Sequence, residues 1–585
     1  MPRPTLEELR KPARVAAEEC LRECGFVQSE GQWVGSIQVG STPAALKLAL
    51  PAEFPDRLPS IAIEPGKMPG RVFNCDRNGV LCLAPPSGIL LDATNPAGLI
   101  AESLERARAI LQSAGEQRDP AAIAQEFRSY WTAPESIISI CSRLTDTRVV
   151  PVLRYKRRPR AGNPEQEKTE ILVCDALEDG ELWLQRQRHQ TVCSDTAFLC
   201  ALDEAILPPP FGEQWSVAEL KSLVRQATRA DQCASFMRWV DQHGLPGSLV
   251  LSIPTRGGDR VLIGAGVQDV KAATKKLAAR GFRPSKVTAT RLLAFGGTDK
   301  ILPLGVDRFD QAFLAPRGGG RQDLKDKTVT VVGVGAVGSR IAENLCSAGV
   351  GTIWLVDYDV LQNANIHRHV LGADKVGQNK ALAMCELLGR RYPHLDVRGK
   401  AKNVEAILGT DEDCTLGVDL VFLATGEATL ELRLNQYLGQ QVPRIHVWVD
   451  PLDAGGHALL AGVAKGRGCL ECLYPRNASA PLHNRASFVA PGQDLTKTLG
   501  GCSDRFVPFS GLVASKAAIE AVRLGIGTLD GGNFSVLLSW YEGDAELRAA
   551  GFEPSRRAGL FSSGQRKLER QFIDTHCPVC SGWNT

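Results

Sequence analysis

Apolar residues return at helical spacing from Leu6 to Cys24, after which the pattern shortens to the strand-like stretches WVGSIQV, AALKLALP and IAIEP, punctuated by Pro51, Pro55 and Pro59. A helix followed by a small antiparallel sheet is predicted. Helical spacing resumes in GLIAESLERARAILQSAG and AAIAQEFRSYW, so residues 1–135 read as an α+β domain closed by core-facing helices. Between residues 136 and 304 the pattern is mixed. SLVLSIP and RVLIGAGV, joined through TRGGD, predict a hairpin, and DVKAATKKLAARG predicts a helix with a glycine stop. No motif marks this stretch, which reads as a mixed α/β linker domain that spaces or docks its neighbours. From residue 305 to 585 apolar strands alternate with helices: TVTVV, TIWLVD, DLVFLATG, RIHVWVD and HALLAGV, with helices over 378–391 and 510–524. That alternation predicts strands paired in parallel and covered by helices. The fold class is therefore α/β and multidomain, as 585 residues would lead one to expect.

Charge changes this picture little. The 68 basic and 65 acidic residues leave +3, so neither nucleic acid nor an anionic membrane is indicated as the main partner. There is no apolar run of about 18 residues and no charged-apolar-small opening, which makes a cytoplasmic enzyme the expectation. Most of the 17 cysteines stand singly in apolar contexts, a usage suited to a reducing compartment.

The stretch TVTVVGVGAVGSRIAENL carries candidate chemistry. Gly333, Gly335 and Gly338 follow a strand and precede a helix, a turn that lets the backbone approach a phosphate. The next strand ends at Asp357, where a carboxylate can accept from a ribose hydroxyl. An NAD-dependent oxidoreductase would share both features. Beyond the strand, however, Asp359, Asn365, Arg368 and Lys380 add an amide and two cations suited to a polyphosphate. The spacing D-x-D-x5-N-x2-R, followed by GQNK, resembles the ATP site of the ubiquitin-activating and sulfur-carrier-activating adenylyltransferases. The resemblance implies a Rossmann-like adenylation domain with Asp357 on ribose, Asn365, Arg368 and Lys380 on the phosphates, and Mg2+ nearby. In that family an Asp follows the Thr that ends the DLVFLATG strand and holds the metal. Here Thr425 is followed by Gly426 and Glu427, whose longer arm is the available substitute.

Near the other end, RVFNCDRNGVLCLAPPSG places Cys82 in an irregular Gly- and Pro-flanked segment, where a thiol is more accessible than on a helix face. Asn74 comes from the same loop and can donate to the oxyanion formed when an amine attacks a thioester. Asn74, Gly79 and Cys82-Leu83 resemble the active-site stretch of ubiquitin-conjugating enzymes, with Val72-Phe73 in place of the usual His-Pro. Cys75 competes as a thiol but falls where that family has no nucleophile.

Two C-x2-C pairs, Cys469 with Cys472 and Cys577 with Cys580, match a tetrahedral structural Zn2+ site, with two redox pairs as the alternative. The activating family often has this paired site, and Cys502, in a Gly/Ser/Asp loop between the pairs, stands where that family carries its thioester-forming cysteine. His367, His369 and His576 read as local polar contacts. A conjugating-type domain fused ahead of an activating-type domain resembles the fused transferases of bacterial CBASS antiphage operons. That resemblance implies ATP-dependent adenylation of a protein C-terminal glycine, thioesters on Cys502 and then Cys82, and transfer to an amine. It also implies a CD-NTase-type cyclic-nucleotide synthase as the protein substrate, and a homodimer. The nearest rival is a sulfur-carrier adenylyltransferase whose amino-terminal domain only docks partners.

Overall fold

The computed structural model describes residues 5–583 except 64–71, 73, 77, 85–88, 114–118, 132, 134, 158–168, 210–212, 244–248, 268–300, 464–467, 476–481, 499–504 and 533. The helix expected over DVKAATKKLAARG, and Cys502, lie outside the described residues. The chain divides into two compact units, residues 1–181 with 190–308, and residues 182–189 with 309–585.

In the first unit, α1 (Leu6–Glu23) starts on a capping box in which Thr5 and Glu8 satisfy each other's backbone N–H groups. It buries Ala17 and Leu21 against the meander β1 (Val27–Ser29), β2 (Gln32–Val39), β3 (Thr42–Ala49) and β4 (Ser60–Ile63). The alternation seen in the sequence is the pleat: along β2, Trp33 and Ile37 point into the core, Gly35 between them lies against the Phe26 ring, and Val34 and Ser36 face out. Helix α2 (Pro96–Gln112) covers the same core with Ile100, Leu104, Ala107 and Leu111. AAIAQEFRSYW forms three short turns, Pro120–Ile123, Ala124–Glu126 and Phe127–Tyr130, rather than one helix.

The same unit contains a closed seven-stranded barrel, which local patterning did not reveal. Its strands are β5 (Glu135–Ser139), β6 (Arg148–Lys156), β7 (Thr169–Val173), β8 (Gln190–Ala201), β9 (Leu249–Pro254), β10 (Arg260–Val267) and β11 (Ile301–Arg308), in the closed order β10-β11-β5-β7-β6-β8-β9. The β9–β10 hairpin is present as expected. Closure depends on parallel pairing of Leu304–Arg308 with Glu135–Ser139, partners far apart in sequence that no local period announces. Trp131 ties the short turns to this barrel by donating its indole N–H to the carbonyl of Gly264 at 3.0 Å. Helix α3 spans Leu177–Arg186, whose last residues belong to the second unit, and α4 (Val217–Ala227) and α5 (Ala230–His243) follow in the first.

The second unit is an eight-stranded mixed sheet. Strands β12 (Thr328–Val332), β13 (Thr352–Val356), β14 (Asp396–Lys400), β15 (Leu420–Leu423) and β16 (Arg444–Val449) run parallel. Strand β17 (Gly455–Ala461) turns antiparallel, a two-residue pair β18 (Lys497–Thr498) and β19 (Arg505–Phe506) stands apart, and β20 (Val536–Tyr541) and β21 (Arg566–Glu569) complete the sheet. The order β14-β13-β12-β15-β16-β17-β20-β21 places β12 where the winding reverses, with β13 on one side and β15 on the other. Such a switch point opens a crevice at the strands' carboxyl ends. Helices α6 (Gly338–Ala348), α7 (Lys380–Arg391), α8 (Ala428–Leu438) and α9 (Gly511–Leu529) cover the sheet.

Candidate functional site

The crevice at the switch point is a pocket of about 120 Å³, lined by Gly333, Gly335, Asp357, Asp359 and Lys380 together with Tyr358, Lys402, Thr425 and Glu427. Its floor is the glycine turn. Gly333 has φ +83°, and a Cβ there would sit 2.6 Å from the carbonyl oxygen of Ala424; a Cβ on Gly338 would sit 1.8 Å from that of Gly333. These two glycines serve close packing. A Cβ on Gly335 would meet nothing within 4 Å, so its bareness serves access to the pocket.

Side chains clamp this turn from both sides. Val334 donates its N–H to Asp357 Oδ2 at 2.7 Å, and its carbonyl oxygen lies 2.7 Å from His369 Nε2. Because His369 Nδ1 accepts from the N–H of Leu371 at 3.0 Å, the proton is on Nε2 and the ring donates to Val334. Burial pushes the His369 pKa below its ordinary value, which keeps that neutral tautomer. Asp357 also accepts from the N–H of Asp359 at 2.8 Å, and burial holds its carboxyl above the usual carboxylate range despite these amides. Lys380, nearly buried at the start of α7, ion-pairs with Asp359 and so presents its ammonium to the pocket with a partner already in place.

Gly338, Asn365 and Arg368 do not line this pocket. Gly338 is the first residue of α6, and Asn365 Oδ1 accepts from the N–H of Gln362 at 3.1 Å. The Arg368 guanidinium lies over the Phe509 ring at 4.9 Å, and burial lowers its pKa. Lys402 and Tyr358 were missed from sequence. Lys402 lies just past β14, so the strand-end rule that located Asp357 would have found it too.

In the first unit, Cys82 lies in an open cleft of about 750 Å³ with Asn74, Arg106, Glu126 and Tyr130. The segment folds back on β4: Leu81 donates its N–H to the carbonyl of Ile61 at 2.8 Å, and Cys82 donates to that of Asn74 at 2.7 Å. Gly79, at φ +80°, permits the approach, since a Cβ there would lie 2.1 Å from the carbonyl oxygen of Ile63. The structure sorts the two thiols. Cys75 is buried, and burial raises its pKa to about 12, whereas Cys82 is exposed. Partial burial raises the Cys82 pKa, and the nearby carboxylates of Glu126 and Asp76 push it further.

Asn74 sits at φ +58° and donates its backbone N–H to the Tyr130 hydroxyl at 2.7 Å. Its side-chain amide, oriented to satisfy its neighbours, donates to Glu126 Oε2 at 3.0 Å. Tyr130 reaches Glu126 as well, at 3.2 Å. The short turns after α2 thus supply a carboxylate and a phenol to the cysteine's cleft, and nothing in the local spacing signalled that.

A third cluster, Cys469, Cys472, Cys577 and Cys580, is buried, with all four Sγ atoms within 4.8 Å of one another. Sγ separations of 3.7 Å (Cys469–Cys577) and 3.4 Å (Cys472–Cys580) approach the roughly 3.8 Å edge of a tetrahedron with Zn–S bonds of about 2.3 Å. The donor set fits a closed tetrathiolate zinc site.

Comparison with known proteins agrees with this arrangement. Residues 311–540 match the ThiF family, and residues 17–138 match prokaryotic E2 family B. The chain fuses an E2-like domain to a ThiF-type domain. It is 30% identical over 293 residues to the ATP-dependent ubiquitin transferase-like protein Cap2 of Pseudomonas aeruginosa, covering 48% of each chain. To the protein of that name in Escherichia coli it is 23% identical over 584 residues, covering 92% of this chain and 89% of the relative. The adenylyltransferase and sulfurtransferase UBA4 of Candida albicans is 26% identical over 261 residues, 43% of this chain and 54% of the relative. The alignments thus span about half the length of the first and third of these relatives. The residues that match the ThiF family contain the switch-point pocket together with Cys469 and Cys472, Cys577 and Cys580 lie beyond them, and the residues that match the E2 family contain Cys82.

Proposed function

We propose that the chain is an ATP-dependent protein-conjugating enzyme. The observation that carries this reading is the exposed Cys82 in a cleft of an E2-like domain, on the same chain as a ThiF-type pocket lined by a glycine turn and by Lys380 paired with Asp359. A sulfur-carrier enzyme with an inert docking domain has no use for the exposed thiol. An oxidoreductase has none for Lys380.

In the proposed sequence a substrate protein's C-terminal glycine carboxylate attacks the α-phosphorus of ATP and pyrophosphate leaves. Gly335 lets the polyphosphate approach the backbone, while Lys380, and Arg368 once it turns from Phe509, meet the charge that develops. Asp357 keeps lone pairs for a ribose hydroxyl, and Asn365 caps the turn leading to Arg368. Asp359 and Glu427 are the carboxylates available to magnesium, whose bound form would neutralise phosphate charge. The Cys502 thiolate then attacks the acyl carbon and AMP leaves. The Cys82 thiolate attacks next, returning Cys502 as thiolate, and an amine finally attacks, releasing Cys82 and losing one proton to solvent. Asn74, released from Glu126, meets the oxyanion of these last steps. The cysteine cluster would hold a structural zinc.

The resemblance to the CBASS fused transferases extends the reading to a cyclic-nucleotide synthase of the CD-NTase type as substrate, in bacterial antiphage defence, and to a homodimer in the cytoplasm. No helix among the described residues is long and apolar enough to cross a membrane. The test is incubation of purified protein with ATP, magnesium and a candidate protein ending in glycine, followed by electrophoresis with and without thiol reductant. A reducible adduct on wild-type protein that Cys82→Ala shifts to a different site is expected; no adduct and no pyrophosphate exchange with any candidate overturns the reading.

A further inference from the structure

Arg444, the first residue of β16, is fully buried. Its hydrogen bonds are complete, yet every acceptor is neutral. Nη1 donates to the carbonyls of Gly439 at 2.6 Å and Val442 at 3.5 Å, Nη2 to the carbonyl and side-chain oxygens of Asn435 at 3.0 and 2.7 Å, and Nε to that side-chain oxygen at 3.3 Å. Among the described residues no carboxylate forms an ion pair with it. A buried guanidinium with no counter-charge is among the costlier groups a core can hold, because neutral dipoles replace only part of the lost hydration.

Two contacts tie Arg444 to the segments that carry the cysteine cluster. Asn435 Oδ1, which accepts from Arg444, also accepts from the N–H of Leu470, the residue after Cys469, at 3.4 Å. Trp583, just beyond Cys580, lies over the guanidinium at 5.3 Å. Burial lowers the Arg444 pKa to about 10, and Cys469 and Cys580, when ionised, oppose that shift. The charge state of the cluster therefore decides whether Arg444 is compensated. Four thiols or two disulfides are neutral, whereas four thiolates around a divalent ion carry two net negative charges.

We propose that Arg444 is the charge-compensating partner of an anionic metal-tetrathiolate centre formed by Cys469, Cys472, Cys577 and Cys580. The assignment rests on the zinc reading of the cluster given above, and it makes the arginine a determinant of metal affinity rather than a packing residue. It also favours the metal over the redox alternative, since oxidation to disulfides would strand the cation. Arg444 touches no metal ligand position itself; it acts through the field it places on the sulfurs and through the Asn435 bridge to the Cys469 turn.

The test uses the full reduced chain. Zinc affinity is measured by competition with a chelator of known affinity, and the cobalt(II)-substituted protein reports ligand geometry through its thiolate charge-transfer absorption. Arg444→Met should bind zinc roughly 10–100-fold more weakly, the range seen when an outer partner of a metal site is removed, with the cobalt band shape unchanged. Arg444→Lys should recover part of the loss. If the methionine variant does not fold, Arg444→Gln, which keeps polar contacts but no charge, replaces it, and affinities should rank arginine, lysine, glutamine. Equal zinc affinity in the charged and neutral variants overturns the role of Arg444 while leaving the metal site intact. Absence of zinc from reduced wild-type protein is a separate result, and it overturns the site and this assignment together.

Discussion

The two candidate reaction centres differ in how far they are built before a substrate arrives. In the ThiF-type pocket the groups that define the glycine turn are already engaged: Asp357 and His369 hold the two faces of Val334, and Lys380 is paired with Asp359. The space is about 120 Å³, and its walls are strand ends. The Cys82 cleft is about 750 Å³ and open, on irregular backbone, with a thiol whose pKa is raised rather than lowered. A small, highly charged ligand gains most from dipoles fixed in advance. On the proposed function the Cys82 cleft would admit parts of two proteins and so could not be closed in advance, and the raised pKa of its thiol would protect it until an acyl donor arrives.

The comparison breaks most sharply at Cys82. Cys82→Ala should abolish amide product while pyrophosphate exchange continues at the wild-type rate, measured on the same preparation; product formed at the wild-type rate would show the E2-like domain to be a docking module. Lys380→Ala should reduce exchange by about 10²–10³-fold, since it removes a fixed cation from the developing charge, with Asp359 left exposed enough to be solvated. Unchanged exchange in that variant would remove Lys380 from the chemistry.

Smaller effects sharpen the difference. Glu126→Gln weakens the hold on the Asn74 amide, and aminolysis of the Cys82 thioester should slow roughly 5–10-fold, the worth of about one hydrogen bond of 1–1.5 kcal/mol. Because Glu126 raises the Cys82 pKa, the same substitution should move the pH profile of Cys82 acylation to lower pH, as the thiolate forms more readily. A profile shifted upward contradicts the electrostatic assignment. The smallest effect concerns His369, whose pKa is lowered in the folded protein, so that the acceptance at Nδ1 from Leu371 N–H that orients the ring is present above the ordinary histidine value and lost as pH falls through the lowered one, while Nε2–H still donates to Val334. Exchange should decline by roughly 2–5-fold on that acid limb, the value of one weakened contact. In His369→Gln the limb should be absent; an identical limb in both proteins assigns it to another group.

Much of each centre was legible from local pattern. The glycine turn, Asp357, Asp359 and Lys380 belong to a strand-turn-helix and to strand ends, and these are short-range features whose geometry follows from the residues themselves. Asn365 and Arg368 were found by their charge and spacing, yet the fold seats Arg368 against Phe509 instead of in the pocket. Glu126, Tyr130 and His369 went unseen in their roles because each acts across a tertiary contact: Glu126 on an amide in another segment, His369 on a carbonyl in the glycine turn.

By itself, then, the sequence determined the first helix and sheet, the alternating strands and helices of residues 305–585, the glycine turn between a strand and a helix, and that two C-x2-C pairs are available to one metal. Those properties depend on period, on glycine's missing Cβ and on thiol chemistry, none of which requires knowing a distant neighbour. Tertiary structure alone decided that Cys75 is buried, that seven strands close into a barrel through pairing of Glu135–Ser139 with Leu304–Arg308, and that Arg444 is buried among neutral acceptors. Burial and charge compensation are sums over everything that packs around a group, and the chain brings those neighbours from segments that no local pattern relates.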